Sequence, residues 1–196
     1  MLCNMARHST HDRLLAAGRQ SIHAHGFAAT GVQEITAAAG VPKGSFYNHF
    51  PSKAAFGLAA LDSYWADGAA LRAPLHATGG PAMERLRAHF RAVAAAGTAQ
   101  GLECGCLIGN FAIEAPAAGP QIAARVAEIH RDWTAALAGC IAEGAAAGQI
   151  RRDLAPDDLA RMLLAAWQGS VQRAKVEPHG LAFDAFFRAL DRLLAP

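Results

Sequence analysis

Residues 30–53 read TGVQEITAAAGVPKGSFYNHFPSK, and this stretch decides the fold. Val32, Ile35 and the alanines after them put apolar side chains on one face of a short helix over 31–39. Thr30 is its expected N-cap. Gly40 stops that helix. Val41-Pro42 starts the next, over about 42–48, with proline in the first turn. Two short helices across a glycine turn form a helix-turn-helix. The second is two turns long. A helix of that size enters a major groove about 12 Å wide and meets base edges with its N-terminal residues.

The outer face of the second helix would show Lys43, Gly44, Ser45, Tyr47 and Asn48, while Phe46 and Phe50 hold it to the core. Lys43, Ser45 and Asn48 have the chemistry to read base edges, and Gly44 lets the backbone come close to DNA. Thr30, Tyr47, His49 and Lys53 carry the hydroxyl, imidazole and ammonium donors that phosphates accept. Gln33 is the remaining polar candidate on the first helix. For Gln33 and Asn48 a merely solvated position is the competing reading.

Working outward, residues 10–25 form a helix with Thr10 as cap and Leu14, Leu15, Gly18 and Ile22 as its buried stripe. Gly26 ends it and Phe27 packs inward. Ser52 caps a fourth helix that runs through Phe56, Leu61 and Trp65 to about Gly68. The stretch Ala73 to Pro81 reads as a linker. Further helices are expected at 82–97, 104–113, 120–148, 156–175 and 181–194. In the long one, Ile122, Val126, Ile129, Trp133, Leu137, Cys140 and Gly144 trace one helical face. No segment alternates as a strand does. The expected fold is all-α, with about nine helices. A head at 1–51 precedes a body at 52–196, and helix four joins them.

Composition agrees. Of 196 residues, 53% are hydrophobic and 17% charged, which excludes wholesale disorder. Alanine dominates and β formers are sparse, which favours helix. No apolar run approaches the ~20 residues of a membrane span. The N-terminus lacks the apolar stretch of a secretory signal, and four scattered cysteines make no disulfide scaffold, so a cytoplasmic protein is expected. The net charge of +2 hides an asymmetry. Residues 1–60 hold Arg7, Arg13, Arg19, Lys43 and Lys53 against Asp12 and Glu34, and a basic head suits a polyanion.

The run GFAATGVQEITAAAGVPKGSFYNHFPSKAAF closely resembles the DNA-binding head of TetR-family transcriptional regulators, over roughly residues 10–60. The matching features are Gly26-Phe27, Thr30, Ile35, Ala38-Ala39-Gly40-Val41, Lys43-Gly44-Ser45, Tyr47-x-His49-Phe50 and Ser52-Lys53. Gly18 and Arg19 depart from the pattern, since apolar residues or Ala are usual there. The resemblance implies a third helix that reads DNA, and phosphate contacts at Thr30, Tyr47, His49 and Lys53. It also implies a homodimer on a palindromic double-stranded operator, and a helical effector-binding body. Small residues at Ala165, Ala166, Gly169 and Ser170 and the apolar residues of 181–194 suit a dimer interface.

A second string, Gly105-Cys106-Leu107-x-Gly109-Asn110-x-Ala112, resembles a segment in the branch of that family whose members sense electrophiles or oxidants through a cysteine. The matching cysteine is Cys106. In the first turn of a helix over 104–113 its thiol pKa would be lowered by the helix N-terminus, against Glu103 nearby. A small buried hydrophobe is the competing reading. Cys104, two residues away, would point to the other side of such a helix. Cys140 reads as core and Cys3 as part of a frayed terminus.

An organic effector pocket is expected in the body, lined by Trp65, Cys106, Asn110, Phe111, His130, Trp133, Met162 and Trp167. Few of these are charged, which favours a neutral or weakly polar ligand. Cys3, His8 and His11 make no recognised zinc spacing, and no metal or cofactor is expected. No phosphate-binding glycine loop, nucleophile elbow or H-E-x-x-H occurs, so an enzyme is not expected. The reading is an effector- or redox-responsive repressor. An activator of the same fold stands as an alternative, as does a helical small-molecule-binding protein without DNA activity.

Overall fold

The computed structural model describes residues 9–99, 101, 104–178 and 180–196. Cys3, His8 and Glu103 lie outside that range. Ten helices and no strand occur among the described residues: α1 Thr10–His25, α2 Val32–Ala38, α3 Gly44–Tyr47, α4 Lys53–Asp67, α5 Ala69–His76, α6 Ala82–Ala99, α7 Leu107–Ala118, α8 Pro120–Ala146, α9 Pro156–Ala174 and α10 Leu181–Leu194.

The head packs α1, α2 and α3 around a small aromatic core. Ser9, not Thr10, caps α1, its Oγ accepting the Asp12 N–H at 3.1 Å. Leu14, Gly18 and Ile22 form the buried stripe. Gly18 is where α1 crosses the rest of the head. A Cβ there would sit 2.4 Å from Phe56 Cζ and 2.8 Å from Ile35 Cγ2. This explains the departure at position 18, because Phe56 and Ile35 fill the space a larger residue would take. Gly40 has φ +63, a conformation that favours glycine. Arg13 from α1 clamps the same turn, donating to Ala39 O at 2.7 Å and to Gly40 O at 3.1 Å. Phe46 is fully buried. Its ring stands 5.5 Å from that of Phe50 and 5.4 Å from that of Phe56.

Thr30 does not cap α2. It is fully buried and its hydroxyl donates back to Gly26 O at 2.8 Å, which leaves Gly31 in the cap position without a side-chain bond. Ser52 caps α4 as expected, accepting the Ala55 N–H at 3.0 Å.

The expected linker at 73–81 shrinks to 77–81, because α5 continues through Pro74 to His76. Arg85 explains it. This buried guanidinium donates to Pro74 O at 3.1 Å and to Leu75 O at 2.6 Å, satisfying carbonyls at the end of α5, and it is held by Glu143. Helix α7 begins at Leu107 rather than 104 and runs past Pro116 to Ala118. The 27-residue α8 buries the expected face. In α10 the deepest residues are Phe186, Leu190 and Leu194, with Phe183 and Phe187 half-buried beside them. Trp167 of α9 packs between Phe90, Phe183 and Phe186. No helix among the described residues is long and apolar enough to cross a membrane.

Candidate nucleic-acid interface and effector cavity

On the head, Gln33, Lys43, Gly44, Tyr47, Asn48 and His49 are exposed and Ser45 is half-buried. Six of these seven lie on or beside α3, brought outward because Phe46 and Phe50 turn inward. A Cβ added at Gly44 would meet nothing within 4 Å, so the surface there is open. Thr30 is not part of this face, since its hydroxyl is buried and already bonded. Lys53 has a local role: Nζ donates to Ala28 O at 3.1 Å and lies 4.7 Å from the centre of the Phe27 ring.

The body contains a cavity of about 800 Å³. Of the expected lining residues, Trp65, Cys106 and Trp133 reach it. The others do not. Phe111 is core, 5.3 Å from the Phe27 ring. His130 faces α9 and accepts from Gln168 Nε2 at 2.8 Å. Met162 is 52% exposed, and Trp167 is buried with no partner for its Nε1 among the described residues. Asn110 stands behind the cavity wall and fixes it. Its amide donates to Cys104 O at 2.9 Å, and its Oδ1 accepts from Lys175 Nζ at 3.0 Å.

Sequence reasoning missed Arg19, His23, Tyr64, Arg72 and His89, all in the cavity wall. One signal was present: Arg19 stands in α1 where an apolar residue or Ala is usual. The lining is thus not neutral. Arg19 pairs with Asp67 and donates to Ser63 Oγ at 2.9 Å. His89 is fully buried. Its Nδ1–H donates to Leu71 O at 2.7 Å and its Nε2 accepts from Trp133 Nε1 at 2.9 Å. Burial pushes its pKa down to about 4, so the ring is neutral.

Cys106 is the N-cap residue of α7, outside its first turn. Burial pushes its thiol pKa up. The N–H groups of Gly109 and Ile108, the Tyr64 hydroxyl and the charge of Lys175 pull the other way without overcoming it. The expected lowering therefore fails, because desolvation exceeds the pull of the helix terminus. Residues 104–106 precede the helix, so Cys104 does not point away from Cys106: both line the cavity. Cys140 is core, its thiol raised to about 11 by burial.

Four hydrogen bonds join this region to the head. His23 Nε2 donates to Gly105 O at 2.8 Å, and Asn110 Nδ2 donates to His23 O at 3.4 Å. Glu114 of α7 accepts the Phe27 N–H at 2.9 Å and the Ala28 N–H at 2.6 Å.

The chain is similar to known proteins along almost its whole length. Residues 14–60 match the bacterial regulatory proteins of the tetR family, and residues 82–190 match the tetracyclin repressor-like C-terminal domain. The HTH-type transcriptional repressor DhaR of Mycobacterium sp. (strain GP1) is 39% identical over 193 residues, covering 98% of this chain and 96% of that protein. The crystal structure of a TetR regulatory protein from Rhodobacter sphaeroides superposes with a TM-score of 0.88 at 32% identity, covering 95% of this chain and 99% of that one. The reduced form of Escherichia coli NemR gives 0.83 at 27% identity, covering 95% and 98%. With a head built on a helix-turn-helix and matches at this level across almost its whole length, the chain belongs to the TetR family of transcriptional regulators.

Proposed function

We propose that the protein is a homodimeric repressor that holds a palindromic double-stranded operator and releases it when a small molecule enters the cavity or Cys106 is modified. One observation carries this reading: α1 is part of the head and also supplies cavity wall through Arg19, Gln20 and His23. An effector there touches the DNA-binding head directly. It releases DNA only if it binds the released conformation more tightly than the DNA-bound one. Helix four contributes Tyr64 and Trp65 to the wall, but α1 and α7 are the more direct levers.

Lys43, Gly44, Ser45 and Asn48 would read bases, while Tyr47, His49 and Lys53 would meet phosphates, with Gln33 beside them. Thr30 would position its turn rather than touch DNA. Dimerisation is supported by an outward face on α9, where Met162, Ala165, Ala166 and Gly169 are exposed at spacings of three and four. Two heads would then meet half-sites about 34 Å apart.

The test is fluorescence anisotropy with DNA from upstream of the protein's own gene, before and after a thiol-reactive electrophile, with Cys106→Ser as control. Binding that weakens steeply with salt supports an operator complex. Loss of binding only when Cys106 is present supports release by modification. Binding indifferent to the electrophile assigns release to a reversible ligand, and binding indifferent to every effector contradicts release altogether. Stimulated transcription from the bound operator would favour an activator. A shallow salt dependence would favour the small-molecule-binding protein without DNA activity.

A further inference from the structure

The cavity wall narrows the chemistry of the ligand. Arg19 is neutralised by Asp67. His89 has both ring nitrogens engaged, and His23 uses Nε2 on Gly105 O. Arg72 differs from all of these. Its guanidinium lies 3.4 Å from the centre of the Trp65 ring and donates from Nη2 to Trp65 O at 2.7 Å. Among the described residues no carboxylate lies within ion-pair distance of it, and Asp132, an exposed residue of α8, helps only through its field. Most donors of this guanidinium are therefore left without an acceptor in the protein. The ring contact and the hydrogen bond to Trp65 O hold the guanidinium in place in advance, so a planar anion gains a charge-assisted contact with little ordering cost.

Aromatic surface stands next to that charge. Trp65 and Trp133 line the same cavity with ring centres 6.0 Å apart, and Leu71 and Val93 add apolar wall. The volume of about 800 Å³ suits an organic molecule rather than an inorganic ion. We propose that the cavity binds a flat, largely apolar organic acid, its carboxylate on Arg72 and its body against Trp65 and Trp133. The inference rests on reading the cavity as the effector site.

Isothermal titration calorimetry of the full chain without DNA tests it. The probes are benzoate and 2-naphthoate, each beside its neutral amide. The acids are expected to bind about tenfold or more tightly than the amides. Arg72→Gln is expected to erase that preference while leaving amide binding nearly unchanged, and Arg72→Lys to keep part of it. Amides that bind as tightly as acids, a preference that survives Arg72→Gln, or no binding of any probe at about 10 mM would each overturn the proposal. If Arg72→Gln does not fold, the wild-type preference and the Arg72→Lys variant decide. Anisotropy with the operator separates the two readings: acids that bind through Arg72 without weakening operator binding keep the site but remove its role as effector site.

Discussion

Lys43, Tyr47 and Asn48 stand on the outside of a closed core, whereas Arg72, Tyr64 and Cys106 stand on the inside of an open one. In the head, aromatic rings fill the centre, Thr30 and Arg13 donate to backbone carbonyls, and the side chains proposed to meet DNA are left to solvent. In the body the packing stops short, and the polar groups around the void are held by backbone carbonyls and by one another, with Arg72 leaving most of its donors open. The difference suits the two proposed roles: a surface that reads DNA needs a rigid support beneath it, while a cavity that takes a ligand needs room that its own walls do not collapse into.

The largest test removes the head's centre. Phe46→Ala should cost about 3–5 kcal/mol of head stability. Operator binding should be lost while tryptophan fluorescence, which reports Trp65, Trp133 and Trp167, still shows a folded body. Simultaneous loss of both would make head and body one cooperative unit and break the comparison.

The next effect comes from the cavity. His89 is held neutral by burial, its pKa lowered from 6.5 to about 4. Below pH 6.5 the unfolded chain takes up a proton that the folded chain refuses. The stability contributed by the neutral ring is therefore fully present above about pH 6.5 and is lost as pH falls towards 4, at up to about 1.4 kcal/mol per pH unit. Denaturant titrations across that range should show the decline, and His89→Gln should flatten part of it.

On the reading face the expected changes are about 1–3 kcal/mol. Lys43→Ala should narrow the gap between operator and random DNA. Lys53→Ala should weaken both alike and reduce the salt slope by about one. Equal loss of discrimination from the two variants would contradict the division between base and phosphate contacts. The smallest effect concerns the join. Glu114→Gln keeps one acceptor for the two N–H groups it serves, so operator affinity should stay within about 1 kcal/mol. The ratio of operator affinities with and without effector should shrink, and an unchanged ratio would remove Glu114 from the coupling.

Much of the head was legible in the sequence because its features are local. A cap at Ser52, a glycine at 40 and inward rings at 46 and 50 act within a few residues of where they are written. The cap at Thr30 was misread because its hydroxyl has a buried alternative in Gly26 O that only the folded turn offers. The cavity was legible at Trp65, Cys106 and Trp133 and little further. His130 and Trp133 lie on neighbouring positions of one helix, yet the first meets Gln168 and the second a void. Which inward residue meets empty space depends on how five separate segments converge, and no periodicity within one helix records that. Cys106 shows the same limit: a local rule favours a lowered thiol pKa, and burial by distant elements reverses it.

Glu114 grips the head by the main chain, through the N–H groups of Phe27 and Ala28. Those groups are present whatever side chains α3 carries. If the exposed residues Lys43, Tyr47 and Asn48 read DNA as proposed, descendants of this protein could change them and acquire new operators without rebuilding this join, provided Phe46 stays in the core. Target and signal can evolve on separate schedules.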